Sequence, residues 1–151
     1  MREILFFREI LFFVAIACVS GCDIIEKQYN DTVWTGADGK STEELQKMFD
    51  EYNIKYFDGN LRCKLHWFKS KDLNGQTCYL PWGTEIFIAH DIDYDRLPKT
   101  MLHEMCHASV VCFSNGGHCR AFRDEVRRVA KLSGYTAEDI YWDIGNYDDE
   151  N

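Results

Sequence analysis

Residues 97–112 hold a mostly apolar run interrupted by His103, Glu104 and His107. The run has helical periodicity, with Met101, Leu102, Met105, Ala108, Val111 and Cys112 supplying apolar surface on nearly every side. A helix of this kind is buried. Buried His and Glu need partners, because an unpaired charge in a core costs several kcal/mol. Residues four apart on a helix share a face, about 6 Å apart along the axis. His103 and His107 can therefore aim one ring nitrogen each at a single cation, and Glu104, offset by one position, sits beside that cation rather than on it. His-Glu-x-x-His on a helix is the pattern in which two histidines bind zinc and the glutamate takes a proton from a water the metal activates.

Two histidines do not hold a zinc, so a third ligand is required downstream. His118 and Glu125 compete. Glu125 is one heptad along the following helical stretch from His118 and shares its face, and a glutamate on a following helix is a known zinc arrangement. The Gly116-Gly117 pair favours His118, because it lets the chain fold back over the ion.

The rest of the chain frames this helix. Ser41-Thr42-Glu43-Glu44 reads as a capping box opening a helix with Leu45, Met48, Phe49, Tyr52 and Tyr56 on its core face, stopped at Asp58-Gly59. Residues 61–68 alternate as a half-buried strand, with Leu61, Cys63, Leu65 and Trp67 inward and His66 on a solvated face. Asn74-Gly75 signals a turn, residues 77–80 a second strand closed by Pro81, and residues 85–89 a third strand apolar on both faces. Asp95 is the expected N-cap of the metal helix, with Pro98 in its first turn and its end near residue 112 or 113. A second amphipathic helix is expected over 118–133, ended by Gly134, followed by a helical turn from Thr136. Arg120, Arg123, Arg127 and Arg128 alternate with Asp124 and Glu125, which predicts a solvated, salt-bridged face. The fold class is α+β: an N-terminal helix, a three-stranded sheet, then two ligand-bearing helices.

The net charge of −8 argues against nucleic-acid binding, since phosphate backbones are repelled. Residues 1–21 carry a short apolar core, too short to span a bilayer but sized for a signal peptide, ending in Val19-Ser20-Gly21-Cys22. That end resembles the lipobox of bacterial lipoproteins, which implies lipidation of Cys22, a tether over 22–40 with Trp34 free to dock, and a place in the cell envelope on a membrane. Secretion or an uncleaved N-terminal anchor is the alternative. Export would permit disulfides between Cys112 and Cys119 and between Cys63 and Cys78, leaving Cys106 as a buried thiol. The acidic end over 143–151 reads as a frayed tail.

Phe49-Asp50-Glu51-Tyr52-Asn53 with Phe57-Asp58-Gly59, residues 100–108 with their His-Glu-x-x-His, and Gly117-His118-Cys119-Arg120-Ala121-Phe122 together resemble the SprT-like (Spartan-like) zinc metalloproteases. The resemblance covers residues 41–133 and implies a small zincin-like peptidase domain, taken as 41–142. It implies zinc held by His103, His107 and His118, with Glu104 as general base and a protein or peptide as substrate, in a chain expected to be a monomer. Position 119 is Cys where that family often has Gly. His90 and Tyr94 are candidates for the oxyanion partner. The competing reading is a membrane-anchored module whose zinc is structural, with Cys106 or Cys119 completing the ligand set.

Overall fold

A computed structural model describes residues 41–112 and 117–145. The signal segment, Cys22, the tether with Trp34 and most of the acidic tail lie outside the described residues. No helix among the described residues is long and apolar enough to cross a membrane.

The architecture is α+β, as the periodicity predicts. Helix α1 spans Thr42–Tyr56. Ser41 caps it by accepting from the Glu43 amide, rather than through a reciprocal box with Glu44. Asp58 and Gly59 then turn the chain with positive φ. Buried Asn53 fixes that turn to the sheet, since its side chain both donates to the Leu61 carbonyl and accepts from the Leu61 amide at 3.0 Å.

Strands β1 (Cys63–Phe68), β2 (Gly75–Leu80) and β3 (Gly83–Ala89) form one sheet in the order β1-β3-β2. β3 is central, parallel to β1 and antiparallel to β2, which explains why Ile86, Phe87, Ile88 and Ala89 are all buried. The hairpin turn is Pro81-Trp82, with Leu80 opposite Gly83; Asn74-Gly75 instead leads the chain into β2.

One face of the sheet carries the main core. Leu65, Trp67, Ile86 and Ile88 pack there with α1 and with two further helices, α2 (Leu97–Ser109) and α3 (Arg120–Ser133), through Phe49, Met101, Met105, Phe122 and Val126. Each such side chain contributes about 1.5–3 kcal/mol by leaving water. Phe68, Cys78, Phe87 and Ala89 form a second cluster. After α3 comes a single turn, α4 (Ala137–Ile140), opened by a Thr136–Asp139 capping box.

Several expectations need correction. α2 begins after Arg96, without a side-chain cap from Asp95, and ends at Ser109, so Val111 is exposed rather than helical core. Cys63 and Cys78 are not joined by a disulfide. They sit on the two outer strands, roughly 10 Å apart across β3, with Cys63 against the main core and Cys78 in the second cluster. A disulfide needs Cα atoms within about 7 Å. His66 is not simply solvated, because its Nε2 lies 2.8 Å from the buried Glu85 carboxylate and its ring stacks on Phe87.

Candidate metal centre

α2 is buried through Met101, Leu102, Met105 and Cys106, and this packing fixes its rotation. His103 and His107 then stand one turn apart on the face toward α3. Between the two helices the chain is pinned by a Cys112–Cys119 disulfide, with Cα atoms 6.1 Å apart. His118 lies just before α3, whose N-cap is Cys119, and so is not its first residue. Gly117 has φ +88°, and a Cβ there would come within 3.2 Å of the His107 ring. The left-handed backbone and the close approach to His107 both favour glycine where the chain brings His118 over α2.

The three rings converge. Nε2 of His107 is 3.2 Å from Nε2 of both His103 and His118, and those two are 3.3 Å apart. Nitrogen ligands at about 2.0–2.1 Å on a tetrahedral ion are separated by about 3.3 Å. The spacing of the three lone-pair atoms therefore fits one small cation. Among the described residues this is the group of His, Cys, Asp and Glu able to hold a metal. His103 Nδ1 donates to the Ile140 carbonyl at 3.0 Å, which leaves the lone pair on Nε2, facing the other rings. Burial holds the His107 imidazole down to about 2 and the His103 imidazole to about 4, with neighbouring rings adding to both. Burial lowers His118 as well, partly offset by Asp143. All three rings are neutral near pH 7, the state a metal requires.

The surroundings hold the rings in place. Phe122 stacks on His107 at 4.1 Å, and Tyr141 stacks on His118 at 4.5 Å. Arg123 donates to the His118 carbonyl at 2.8 Å. The Tyr79 hydroxyl donates to the His107 carbonyl. Arg123 thus departs from the solvated arginine face expected of α3, while Arg127 and Arg128 keep to it, paired with Asp124 and Glu125. Glu125 is not at the centre; it pairs with Arg128 and accepts from Ser109.

Glu104 is 4% exposed. Its Oε2 accepts from the Thr77 hydroxyl at 2.8 Å. Burial pushes its carboxyl up to about 8, against the lowering effect of that hydrogen bond. His103, Glu104 and His118 line a cleft of about 680 Å³, which Leu73–Gly75 and Ile140–Asp143 also line. Neither His90 nor Tyr94 lines it, so neither is placed to serve an oxyanion there.

A model of the SprT-like family matches residues 45–141. The chain belongs to the SprT-like family. Among curated proteins none matches it. The matched span runs beyond α3 to Tyr141, taking in the α4 segment that supplies the Ile140 carbonyl and the Tyr141 ring. Sequence reasoning gave that segment no part in the site. Gly75, Thr77 and Arg123 were missed as well. An isolated glycine in a strand can mark a close approach of another group, and Gly75 was the one residue of the three carrying such a signal.

Proposed function

We propose that this SprT-like protein is a zinc-dependent peptidase. His103, His107 and His118 hold the ion. A zinc bound there supplies a water acidified toward neutral pH and a Lewis acid for a peptide carbonyl. Glu104, buried beside the three rings, accepts the proton of the attacking water and delivers it to the leaving amine. Ile140 and Tyr141 keep two of the rings oriented. The observation that carries this reading is the triangle of Nε2 atoms at 3.2–3.3 Å beside a buried carboxyl that opens on a cleft.

A purely structural zinc is the weaker reading. Such sites fill all four positions with protein ligands, often thiolates. Here Cys119 is in a disulfide, and Cys106 is not among the grouped ligands. Glu104→Gln separates the two: it should keep zinc and abolish cleavage of fluorescein-labelled casein. Cleavage at the wild-type rate would remove the proposed base.

The location belongs to the same proposal. Val19-Ser20-Gly21-Cys22 supports a lipid anchor on Cys22 at a bacterial envelope membrane, and the Cys112–Cys119 disulfide suits an oxidising compartment. Cys22→Ser should release the protein from the membrane fraction. Retention with an uncleaved N-terminus would refute the anchor.

A further inference from the structure

Strand β2 presents alternate residues to α2. Tyr79 takes the His107 carbonyl, while Thr77 and Gly75 both meet Glu104. The Thr77 hydroxyl lies 2.8 Å from Glu104 Oε2 and 2.9 Å from the Glu104 backbone carbonyl. At position 75 a Cβ would stand 2.8 Å from Glu104 Oε1, 2.9 Å from its Cγ and 2.8 Å from Thr100 Cγ2. The two carboxylate oxygens therefore have different surroundings: one is bonded to a hydroxyl on a strand, the other is bounded by a bare Cα at the cleft.

We propose that Thr77 is a positioning residue for Glu104, with Gly75 providing the space the carboxylate needs. This rests on the peptidase reading, in which Glu104 moves the proton. Thr77 holds Oε2, so Oε1 is the working oxygen. A glutamate side chain has three rotatable bonds, and a single bond to a rigid strand removes most of its freedom to swing away from the rings. Small losses of alignment cost large factors in rate. The proton leaves the attacking water, resides on Oε1 and passes to the amine nitrogen, while Thr77 keeps its own proton throughout. With no side chain at position 75, nothing presses Oε1 back against α2.

The test uses the full chain, zinc-loaded, with fluorescein-labelled casein as the probe. Thr77→Val should lower kcat about 10- to 100-fold, the usual effect of losing a hydrogen bond to a charged group, with KM and zinc content unchanged. Thr77→Ser, which keeps the hydroxyl, should restore kcat to within about 3-fold. Gly75→Ala should lower kcat with zinc retained. A second readout needs neither zinc nor turnover. In the metal-free protein carrying ¹³C at glutamate Cδ, the Glu104 resonance is identified by its loss in Glu104→Gln. It should move in Thr77→Val and return in Thr77→Ser. Wild-type kcat and an unmoved resonance in Thr77→Val would overturn the proposal, as would equal losses in Val and Ser, which mark strand packing as the cause. Should Thr77→Val not fold, the Ser variant decides: an impaired kcat there overturns the proposal, and a wild-type kcat beside a deficient Gly75→Ala upholds it. Activity surviving Glu104→Gln sinks the peptidase reading itself. Activity lost in Glu104→Gln but intact in Thr77→Val sinks only the role of Thr77.

Discussion

Stripping the metal should expose an opposition between Glu104 and the histidines that appears as a maximum in stability near pH 6.5. In the unfolded chain the imidazoles titrate at about 6.5 and the glutamate at about 4.5. In the folded, metal-free protein His103 and His107 are depressed to about 4 and about 2. Their contribution is therefore complete above pH 6.5 and is lost as pH falls below it. Glu104 is raised to about 8, so its contribution is complete below pH 4.5 and is lost as pH rises toward 8. Between pH 4.5 and 6.5 the unfolded state binds two histidine protons and the folded state one glutamate proton. The net difference of one proton gives a rise of about 1.4 kcal/mol per pH unit, about 3 kcal/mol in all. His118, also lowered, steepens the rise. Between pH 6.5 and 8 only Glu104 differs, and stability falls by about 2 kcal/mol. In a domain of this size that is on the order of 10 °C in Tm. Zinc beside Glu104 favours the carboxylate and removes the alkaline fall, while protons competing for the three rings steepen the acid limb. Thermal unfolding followed by circular dichroism, with chelator and with zinc, measures both curves. The Glu104→Gln protein should lose the alkaline fall without added metal. A metal-free curve that keeps rising from pH 6.5 to 8, or a fall that persists in Glu104→Gln, would refute the reasoning.

Two further outcomes follow from the same contacts. Replacing both Cys112 and Cys119 by Ser opens a loop with a sequence separation of 7 that carries His118. This should destabilise the domain by about 2.5 kcal/mol and weaken zinc affinity measured against a chromophoric chelator; unchanged Tm and affinity would show that the bridge does not order His118. Asn53→Ala removes two buried hydrogen bonds between the end of α1 and Leu61 and should cost about 2–4 kcal/mol in urea unfolding. A cost below about 1 kcal/mol would mean the turn holds itself.

Local pattern carried most of the fold. α1, the alternation in β1, the two-sided burial of β3 and the Gly134 stop of α3 all depend on periods and punctuation within a few residues. His103 and His107 were legible for the same reason, being one turn apart on one helix. The choice between His118 and Glu125 was less so, because it turns on how the loop after α2 folds back. In the structure Gly117 and the disulfide set His118 over α2, where its ring groups with His103 and His107, while Glu125 pairs with Arg128. The contacts that escaped the sequence join distant segments. Thr77 reaches Glu104 across 27 positions and Ile140 reaches His103 across 37. Arg123 looked like its solvated neighbours because charge patterning does not reveal a side chain turned back along its own helix to a carbonyl. His66 looked solvated because the alternation of β1 does not show that Glu85 of β3 is buried beside it.

The central claim is that three imidazoles hold one zinc, and the most direct test is metal content. Mass-spectrometric analysis of the purified full chain should find one zinc per molecule, lost in His118→Ala and retained in Glu125→Ala. A His118→Ala protein that keeps a full equivalent of zinc, or a Glu125→Ala protein that loses it, would contradict the account.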